Sequence, residues 1–171
     1  MADNSPCKQS EIYQIIELTI SRSNVGEINT LQKSAYRVEA AITGINNIPN
    51  LMERDEQLLE SNEQFLGCFA SKKLVGILSF QEISKQKYQI CRVAVDPENF
   101  GKGIGFKLIN KVISLCSPGA LVVTTGKGNI PARKLYEKAG FKYEGELKVK
   151  EDITMWSFLL NQKARKTEKS K

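Results

Sequence analysis

The feature that most constrains the fold is a glycine-dense segment, Phe100–Gly105, between a β-type run and a helical run. The run before it, Lys87–Val95, is rich in β-branched residues and predicts a strand. The run after it, Phe106–Leu115, has apolar residues at helical spacing. Glycines at such a junction let the backbone approach a ligand closely, and the free N–H groups of a helix start attract an anion. The segment therefore predicts a strand–loop–helix unit that binds a pyrophosphate.

Spacing excludes two common classes of nucleotide site. The dinucleotide fingerprint G-x-G-x-x-G would need a third glycine where Phe106 or Leu108 stands. The triphosphate-binding loop needs Ser or Thr after its Gly-Lys pair, and Lys102 is followed by Gly103. On the loop alone, a tight turn that binds nothing stays open as an alternative.

Composition sets the broad class of protein. The 171 residues are enough for one domain with a sizeable core. No apolar run approaches the roughly 20 residues that span a bilayer, and the N-terminus lacks the pattern of a signal peptide, so we expect a cytoplasmic protein. The cysteines Cys7, Cys68, Cys91 and Cys116 are scattered, which favours free thiols over disulfides. With no histidine and no paired cysteines, no metal site is expected.

Much of the positive charge lies at the C-terminus. The net charge is +6, and residues 162–171 carry five basic side chains and one acidic one. We expect this tail and residues 1–9 to be disordered. Positive charge confined to a solvated tail does not indicate a nucleic-acid binder. The affinity of such a protein for nucleic acid would fall steeply with salt concentration. The predicted domain is 10–161.

The rest of the chain predicts a mixed α/β domain. A first strand is expected over 13–20, then a helix over 24–42, capped by Ser23, with Leu31, Ala35, Val38 and Ile42 on one stripe. The predicted elements that follow are a short acidic helix over 51–60, hairpin strands over 64–70 and 74–80 joined by 71–73, a strand over 120–125 parallel to the one before the glycine loop, a helix over 131–139, and closing strands over 141–147 and 153–160.

Two motifs together resemble the GNAT superfamily of acyl-CoA-dependent N-acyltransferases. Phe100–Gly105 is similar to that family's [RQ]-x-x-G-x-[GA] loop, and Asn129–Phe141 matches its N-x-x-A-x-x-L-Y-x-x-x-G-F helix. The resemblance covers about residues 12 to 160. It implies a single-domain fold with a central, mostly antiparallel sheet, flanking helices, and one parallel strand pair that bulges and splays apart. Phe100 departs from the pattern, because the family has Arg or Gln there.

The resemblance also implies where acetyl-CoA, the acyl donor, binds. The backbones of Val93, Ala94 and Val95 would hold the pantetheine arm, and Asn129 would contact the cofactor. The pyrophosphate would bind the loop and helix start, which comprise Gly101, Lys102, Gly103, Ile104, Gly105 and Phe106. Tyr136 stands where the family commonly has its general acid, and a tyrosine is protonated at pH 7.

The base that accepts the proton of the amine is less constrained by the sequence. Glu82, at a strand end expected to face the cleft, and Glu39, on the first long helix, are the candidate carboxylates, and a water relay is an alternative. The segment Glu53–Glu63 has five acids and one base. It predicts either a solvated helix face or an acidic rim that attracts a cationic amine.

The leading hypothesis is an N-acetyltransferase that moves acetyl from acetyl-CoA to a primary amine by direct attack in a ternary complex. The acceptor would be a small-molecule amine or an amine of a peptide or protein, and the exposed closing strands would allow a homodimer. The alternative is an acyl-CoA sensor or scaffold of the same fold without turnover, which Phe100 and the open choice of base motivate.

Overall fold

The structure, a computed structural model, describes residues 11–163. Cys7, the predicted disorder of residues 1–9 and most of the predicted basic tail lie outside this range. Gln162 is described, and its Nε2 donates a hydrogen bond to the carbonyl oxygen of Ile113 at 3.1 Å. No helix within 11–163 is long and apolar enough to cross a bilayer.

Seven strands and five helices make up the described chain. The strands are β1 Tyr13–Leu18, β2 Gln64–Ala70, β3 Lys73–Ser84, β4 Lys87–Val95, β5 Ala120–Gly126, β6 Lys142–Lys150 and β7 Ile153–Asn161. The helices are α1 Val25–Thr43, α2 Pro49–Met52, α3 Asp55–Leu59, α4 Ile104–Leu115 and α5 Ile130–Lys138, and a 3-10 turn covers Pro97–Asn99.

All strands join one sheet in the order β1-β2-β3-β4-β5-β7-β6. The pair β4–β5 is parallel, and the other five pairs of described strands are antiparallel. The long connection between β4 and β5, through the glycine loop and α4, is what parallel pairing requires. The predicted mixed α/β fold with a mostly antiparallel sheet is confirmed.

Helices cover both faces of the sheet. On one face, α4 buries Ile104, Leu108 and Val112 in a core shared with Phe158 of β7. Helix α4 lies close to the sheet at Gly76, where an added Cβ would come 2.8 Å from the Cγ2 of Ile104. On the other face, α1 and α3 pack against strand residues in a second core.

Helix α1 differs from its prediction at both its start and its buried face. The N-cap is Asn24, not Ser23. The side chain of Asn24 is engaged with the preceding turn, because its Oδ1 accepts from the Ser21 amide at 2.8 Å. The predicted stripe was wrong in its last member, since Ile42 is 45% exposed. The buried residues of α1 are Val25, Ile28, Asn29, Leu31, Gln32 and Tyr36.

The predicted acidic helix over 51–60 was also wrong, because the segment forms two short helices, α2 and α3. Between them, Glu53 is extended, with φ −67° and ψ 135°. Its side chain turns inward to the guanidinium of Arg92. A buried ion pair therefore interrupts a segment whose composition favours one continuous helix.

Strand β4 bulges and then separates from β5. Ser79 of β3 pairs with Arg92 and the next residue, Phe80, pairs with Ile90, so Cys91 is an extra residue in β4. Parallel pairing with β5 runs from Lys87–Ala120 to Ile90–Val123 and stops there. The splayed parallel pair implied by the resemblance is confirmed, and it opens the sheet at the bulge.

Candidate active site

A cavity of about 400 Å³ lies where β4 and β5 separate. Its walls include Tyr136 of α5 from one face of the sheet and Tyr36 and Glu39 of α1 from the other. The bulge residues Cys91 and Arg92 also line it. The cavity therefore passes through the sheet, and a ligand in it would be reached from both faces.

The glycine loop leaves its backbone open. Gly101 and Gly103 have φ of 76° and 77°, and a Cβ added at either would meet no heavy atom within 4 Å. Gly103 is the N-cap of α4, so the first N–H groups of that helix have no partner within it. Gly105 has a packing role, since its Cβ would lie 3.2 Å from Cδ2 of Leu135 in α5. This geometry fits the predicted pyrophosphate site.

The side chains beside this loop provide little free positive charge. The Nζ of Lys102 lies 3.2 Å from Oε2 of Glu11 and 3.2 Å from Oδ1 of Asn99. Phe100 is 49% exposed and has no polar group. An anion at this loop would therefore depend mainly on backbone amides.

Past the bulge, Val93, Ala94 and Val95 pair with β3 but not with β5. The edge of β4 that faces β5 is thus available along these three residues. An extended ligand would add there like a strand, as the resemblance implies for the pantetheine arm.

Glu39 is held by the end of β5. Its Oε1 accepts from Oγ1 of Thr125 at 3.1 Å and from the amide of Gly126 at 3.3 Å. The hydrogen bonds of the described residues leave Oε2 of Glu39 without a donor. A carboxylate fixed through one oxygen and open at the other is suited to bind an ammonium group or accept a proton.

Asn129 connects this carboxylate to α5. Its Nδ2 donates to Oγ1 of Thr125 at 3.0 Å, and its Oδ1 accepts from the amide of Ala132 at 3.2 Å and so caps α5. Asn129 was predicted as a cofactor contact, but both of its side-chain groups bond within the protein. The N-cap motif therefore also positions Thr125 and, through it, Glu39.

Tyr136 is 5% exposed and packs against Phe141 and Phe158, with ring centroids 6.0 and 5.5 Å away. Burial raises the pKa of its hydroxyl well above the usual range, and the charges of Glu39 and Tyr36 raise it further. The hydroxyl therefore stays protonated and available as a donor.

Tyr36 is a site residue that sequence reasoning missed. It is 7% exposed, lines the same cavity, and stands one helical turn before Glu39. Burial and the charge of Glu39 raise the pKa of Tyr36 to about 12. The spacing of three residues from Glu39 was the available signal, because residues i and i+3 share a helix face.

The structure does not bring Glu82 into this cavity. Glu82 is exposed near the β3–β4 turn, and its Oε1 accepts from the amide of Gln86 at 2.9 Å. The bulge shifts the register of β3 against β4 before this point, and the hairpin continues into solvent. Of the two predicted carboxylates, Glu39 alone is among the residues that line the cavity.

A second group that sequence reasoning missed is a buried ion cluster around Arg92, which is 5% exposed. Its Nε lies 2.7 Å from Oε2 of Glu63, its Nη2 lies 3.0 Å from Oε1 of Glu53, and its Nη1 donates to Oε1 of Gln32 at 3.1 Å. Burial alone would raise the pKa of Glu63, but hydrogen bonds from Arg92 and Ser79 lower it. The cluster joins α1, the α2–α3 link and the residue before β2 to the bulge.

This cluster changes the interpretation of the acidic segment Glu53–Glu63. Glu53 and Glu63 bind Arg92, and Asp55 accepts from Nδ2 of Asn29 at 2.6 Å. These three carboxylates face inward instead of forming the predicted solvated face or outer rim. Glu56 and Glu60 are exposed.

Cys91 lines the cavity, and its Sγ lies 3.6 Å from the carbonyl oxygen of Gln89. Burial and the charge of Glu63 raise the pKa of the thiol to about 12. The thiol is therefore protonated near neutral pH, which does not favour a nucleophile.

Comparison with known proteins gives a family match. The family described as "Acetyltransferase (GNAT) family" matches residues 12–141. The chain is 35% identical over 156 residues to the UPF0157 protein YqkA of Bacillus subtilis, a match that covers 91% of this chain and 44% of that protein. It is 23% identical over 94 residues to the N-alpha-acetyltransferase RimI of Mycobacterium tuberculosis, which is 53% of this chain and 60% of that protein. The chain thus matches less than two thirds of the length of these relatives.

Solved structures share the fold. The spermidine N-acetyltransferase of Vibrio cholerae, in complex with CoA and spermine, has a TM-score of 0.67 and 20% identity, covering 88% of this chain and 96% of that one. The ribosomal-protein-S18-alanine N-acetyltransferase of Escherichia coli has a TM-score of 0.68 and 15% identity, covering 87% of this chain and 93% of that one. At these identities the likeness concerns the fold alone.

Proposed function

The chain belongs to the GNAT acetyltransferase family, and we propose that it transfers an acetyl group from acetyl-CoA to a primary amine by direct attack in a ternary complex. The observation that carries the proposal is the splay of β4 from β5 after Ile90–Val123. It gives Glu39 and Tyr136 access to one cavity from opposite faces of the sheet. The names of related proteins that act on amines support the same reaction class.

We assign the donor site to the loop and the free edge of β4. The backbone N–H groups of Gly101, Lys102, Gly103, Ile104, Gly105 and Phe106 would bind the pyrophosphate of acetyl-CoA. Val93, Ala94 and Val95 would hydrogen-bond the pantetheine arm. This substrate supplies an activated thioester, and the protein supplies binding and orientation. The missing side-chain cation at Phe100 removes a contact typically worth about 1.5–3 kcal/mol.

Glu39 is proposed as the base. An alkylamine with a pKa of about 10.4 is almost entirely protonated at pH 7, so the attacking nitrogen must lose a proton. The open oxygen of Glu39 receives that proton and passes it to solvent, directly or through water. The bonds from Thr125 and Gly126 keep the carboxylate in place while this happens.

Tyr136 is proposed as the acid. The amine nitrogen bonds to the acetyl carbon, the carbon–sulfur bond breaks, and Tyr136 gives its proton to the departing thiolate. The second proton that the nitrogen loses restores the tyrosine. The negative charge of Glu39 helps to raise the pKa of Tyr136. Proton uptake by Glu39 removes that charge, so Tyr136 becomes a better donor as the amine is activated.

The test is release of free CoA from acetyl-CoA across a panel of amines, beside calorimetry with acetyl-CoA. We expect acetyl-CoA binding and amine-dependent CoA release, with N-acetylated product found by mass spectrometry. Tight binding with no release for any amine would instead favour the alternative of a sensor or scaffold. In that case Phe100 and the paired Lys102 would mark a site built to hold the cofactor without turnover.

A further inference from the structure

We propose that the acceptor is a small primary monoamine on an apolar carbon skeleton, an inference that rests on the proposed acetyl transfer. Three observations support it: the charge at the inner end of the cavity, where Glu39 lies, the apolar residues on the β6–β7 side, and the volume of the cavity. Each concerns residues that line the cavity or bond to those that do.

The inner end of the cavity is negative. Glu39 has an oxygen without a donor among the described residues. The neighbouring Arg92 is bound by two carboxylates, Glu53 and Glu63, so that cluster carries a net charge of −1, from +1 and twice −1. Arg92 lines the cavity and its two carboxylates do not, so the attraction on an entering ammonium group comes from Glu39, while the carboxylates bound to Arg92 offset its positive charge.

The side of the cavity formed by β6 and by the segment after α1 is mostly apolar, with Asn47, Asn50 and Lys150 as its polar members. Leu147 and Val149 of β6 are 50% and 62% exposed, in a strand that otherwise presents mostly charged residues. Ile45, Ile48 and Met155 line the cavity with them. Exposed apolar side chains gathered at a cavity indicate an apolar ligand, because covering them gains the free energy of burial.

A second positive charge on the acceptor would find no second carboxylate among the described residues that line the cavity. Among the described residues that line the cavity, Glu39 is the one carboxylate. The adjacent charge on β6 is Lys150, which also lines the cavity. A diamine would bring its second ammonium to apolar side chains and a lysine, which costs desolvation and repulsion.

The volume limits the size of the acceptor. At about 30 Å³ per water, 400 Å³ corresponds to roughly 13 molecules of liquid water. The reacting end of the donor takes part of that space. An acceptor of about ten non-hydrogen atoms or fewer would lie within this space, whereas a peptide would leave most of its chain outside.

The test compares hexylamine with 1,6-diaminohexane, which have the same length and differ in one ammonium group, and adds short peptides with a free N-terminus. We expect kcat/KM for hexylamine to exceed that for the diamine by at least about tenfold, which corresponds to roughly 1.4 kcal/mol. Lys150→Glu should reduce this ratio severalfold. Lys148→Glu is the matched control, since it makes the same charge change on β6 at a residue outside the cavity lining.

A diamine used as well as or better than hexylamine, or turnover with peptides only, would overturn the inference while leaving acetyl transfer intact. If no amine releases CoA, acetyl transfer itself fails. The acceptor claim is then decided by calorimetry in the presence of CoA. Binding of hexylamine in preference to the diamine supports it, and equal or absent binding rejects it.

Discussion

At the residue scale, the site depends on how one carboxylate is held. Glu39 is on α1, but both hydrogen bonds that orient it come from the end of β5. Gly126 also lets the loop after α1 lie close, because a Cβ there would come 2.9 Å from Cδ1 of Ile45. These contacts join residues more than 80 positions apart in the chain. The sequence could therefore suggest Glu39 as a candidate base but not the orientation of its carboxylate.

Thr125→Val should separate this positioning role from simple packing, because valine fills the same space but can neither donate to Glu39 nor accept from Asn129. Loss of a hydrogen bond to a charged group is worth about 1.5–3 kcal/mol. We therefore expect kcat/KM for the amine to fall about tenfold to hundredfold, with the Kd for acetyl-CoA unchanged. Steady-state kinetics and calorimetry measure the two quantities.

The matched control is Thr124→Val, a neighbouring residue that lines the cavity without a hydrogen bond to Glu39. It should keep most of the activity. Equal losses in the two variants would mean that Thr125 matters for packing and not for Glu39.

At the element scale, the bulge in β4 organises the site. The extra residue, Cys91, turns Arg92 toward α1 and the α2–α3 link, while Ile90 and Val93 stay in the core with α4. Both ends of β4 could be predicted from its apolar and β-branched run. The bulge could not, since it depends on pairing with β3 and on partners for Arg92 that lie 29 to 60 positions away.

This cluster should make stability depend on acid pH. Arg92 and Ser79 lower the pKa of Glu63 in the folded state, so the stabilisation is present above the unfolded pKa of about 4.3 and is lost as pH falls through the lower folded value. We expect the free energy of unfolding, measured with urea, to decrease with falling pH below about 4.3. Glu63→Gln should flatten that decrease.

The control is Glu56→Gln, at an exposed position of α3. It removes one negative charge, as Glu63→Gln does, but leaves the contact between Glu63 and Arg92 intact. The test interval is pH 3 to 5, about one unit on each side of the ordinary carboxylate pKa. If the free energy of unfolding of Glu63→Gln fell with pH in this interval as steeply as that of the wild type, the ion pair would not be the cause of the pH dependence.

At the scale of the whole molecule, the sequence predicted the fold better than the site. The glycine loop and the Asn129–Phe141 motif pointed to the sheet, the parallel pair and its splay, because they lie in consecutive elements joined by short connections. The cavity is built from α1, β4, β5, α5 and the β6–β7 hairpin, which meet only through the tertiary fold. Glu39 was therefore one candidate of two, and Tyr36 and the inward-facing Glu53 and Glu63 were missed.

In the proposed reaction, the splayed sheet forms a site for acetyl transfer in which Tyr136 donates a proton to the departing sulfur. The measurement that tests it most directly is the single-turnover rate of acetyl transfer in Tyr136→Phe, beside the Kd for acetyl-CoA. Tyr143→Phe is the control, since Tyr143 is 39% exposed on β6 and does not line the cavity. We predict a rate reduced by about 10²–10⁴ in Tyr136→Phe with the Kd unchanged. A rate equal to that of the wild type would show that Tyr136 is not the proton donor.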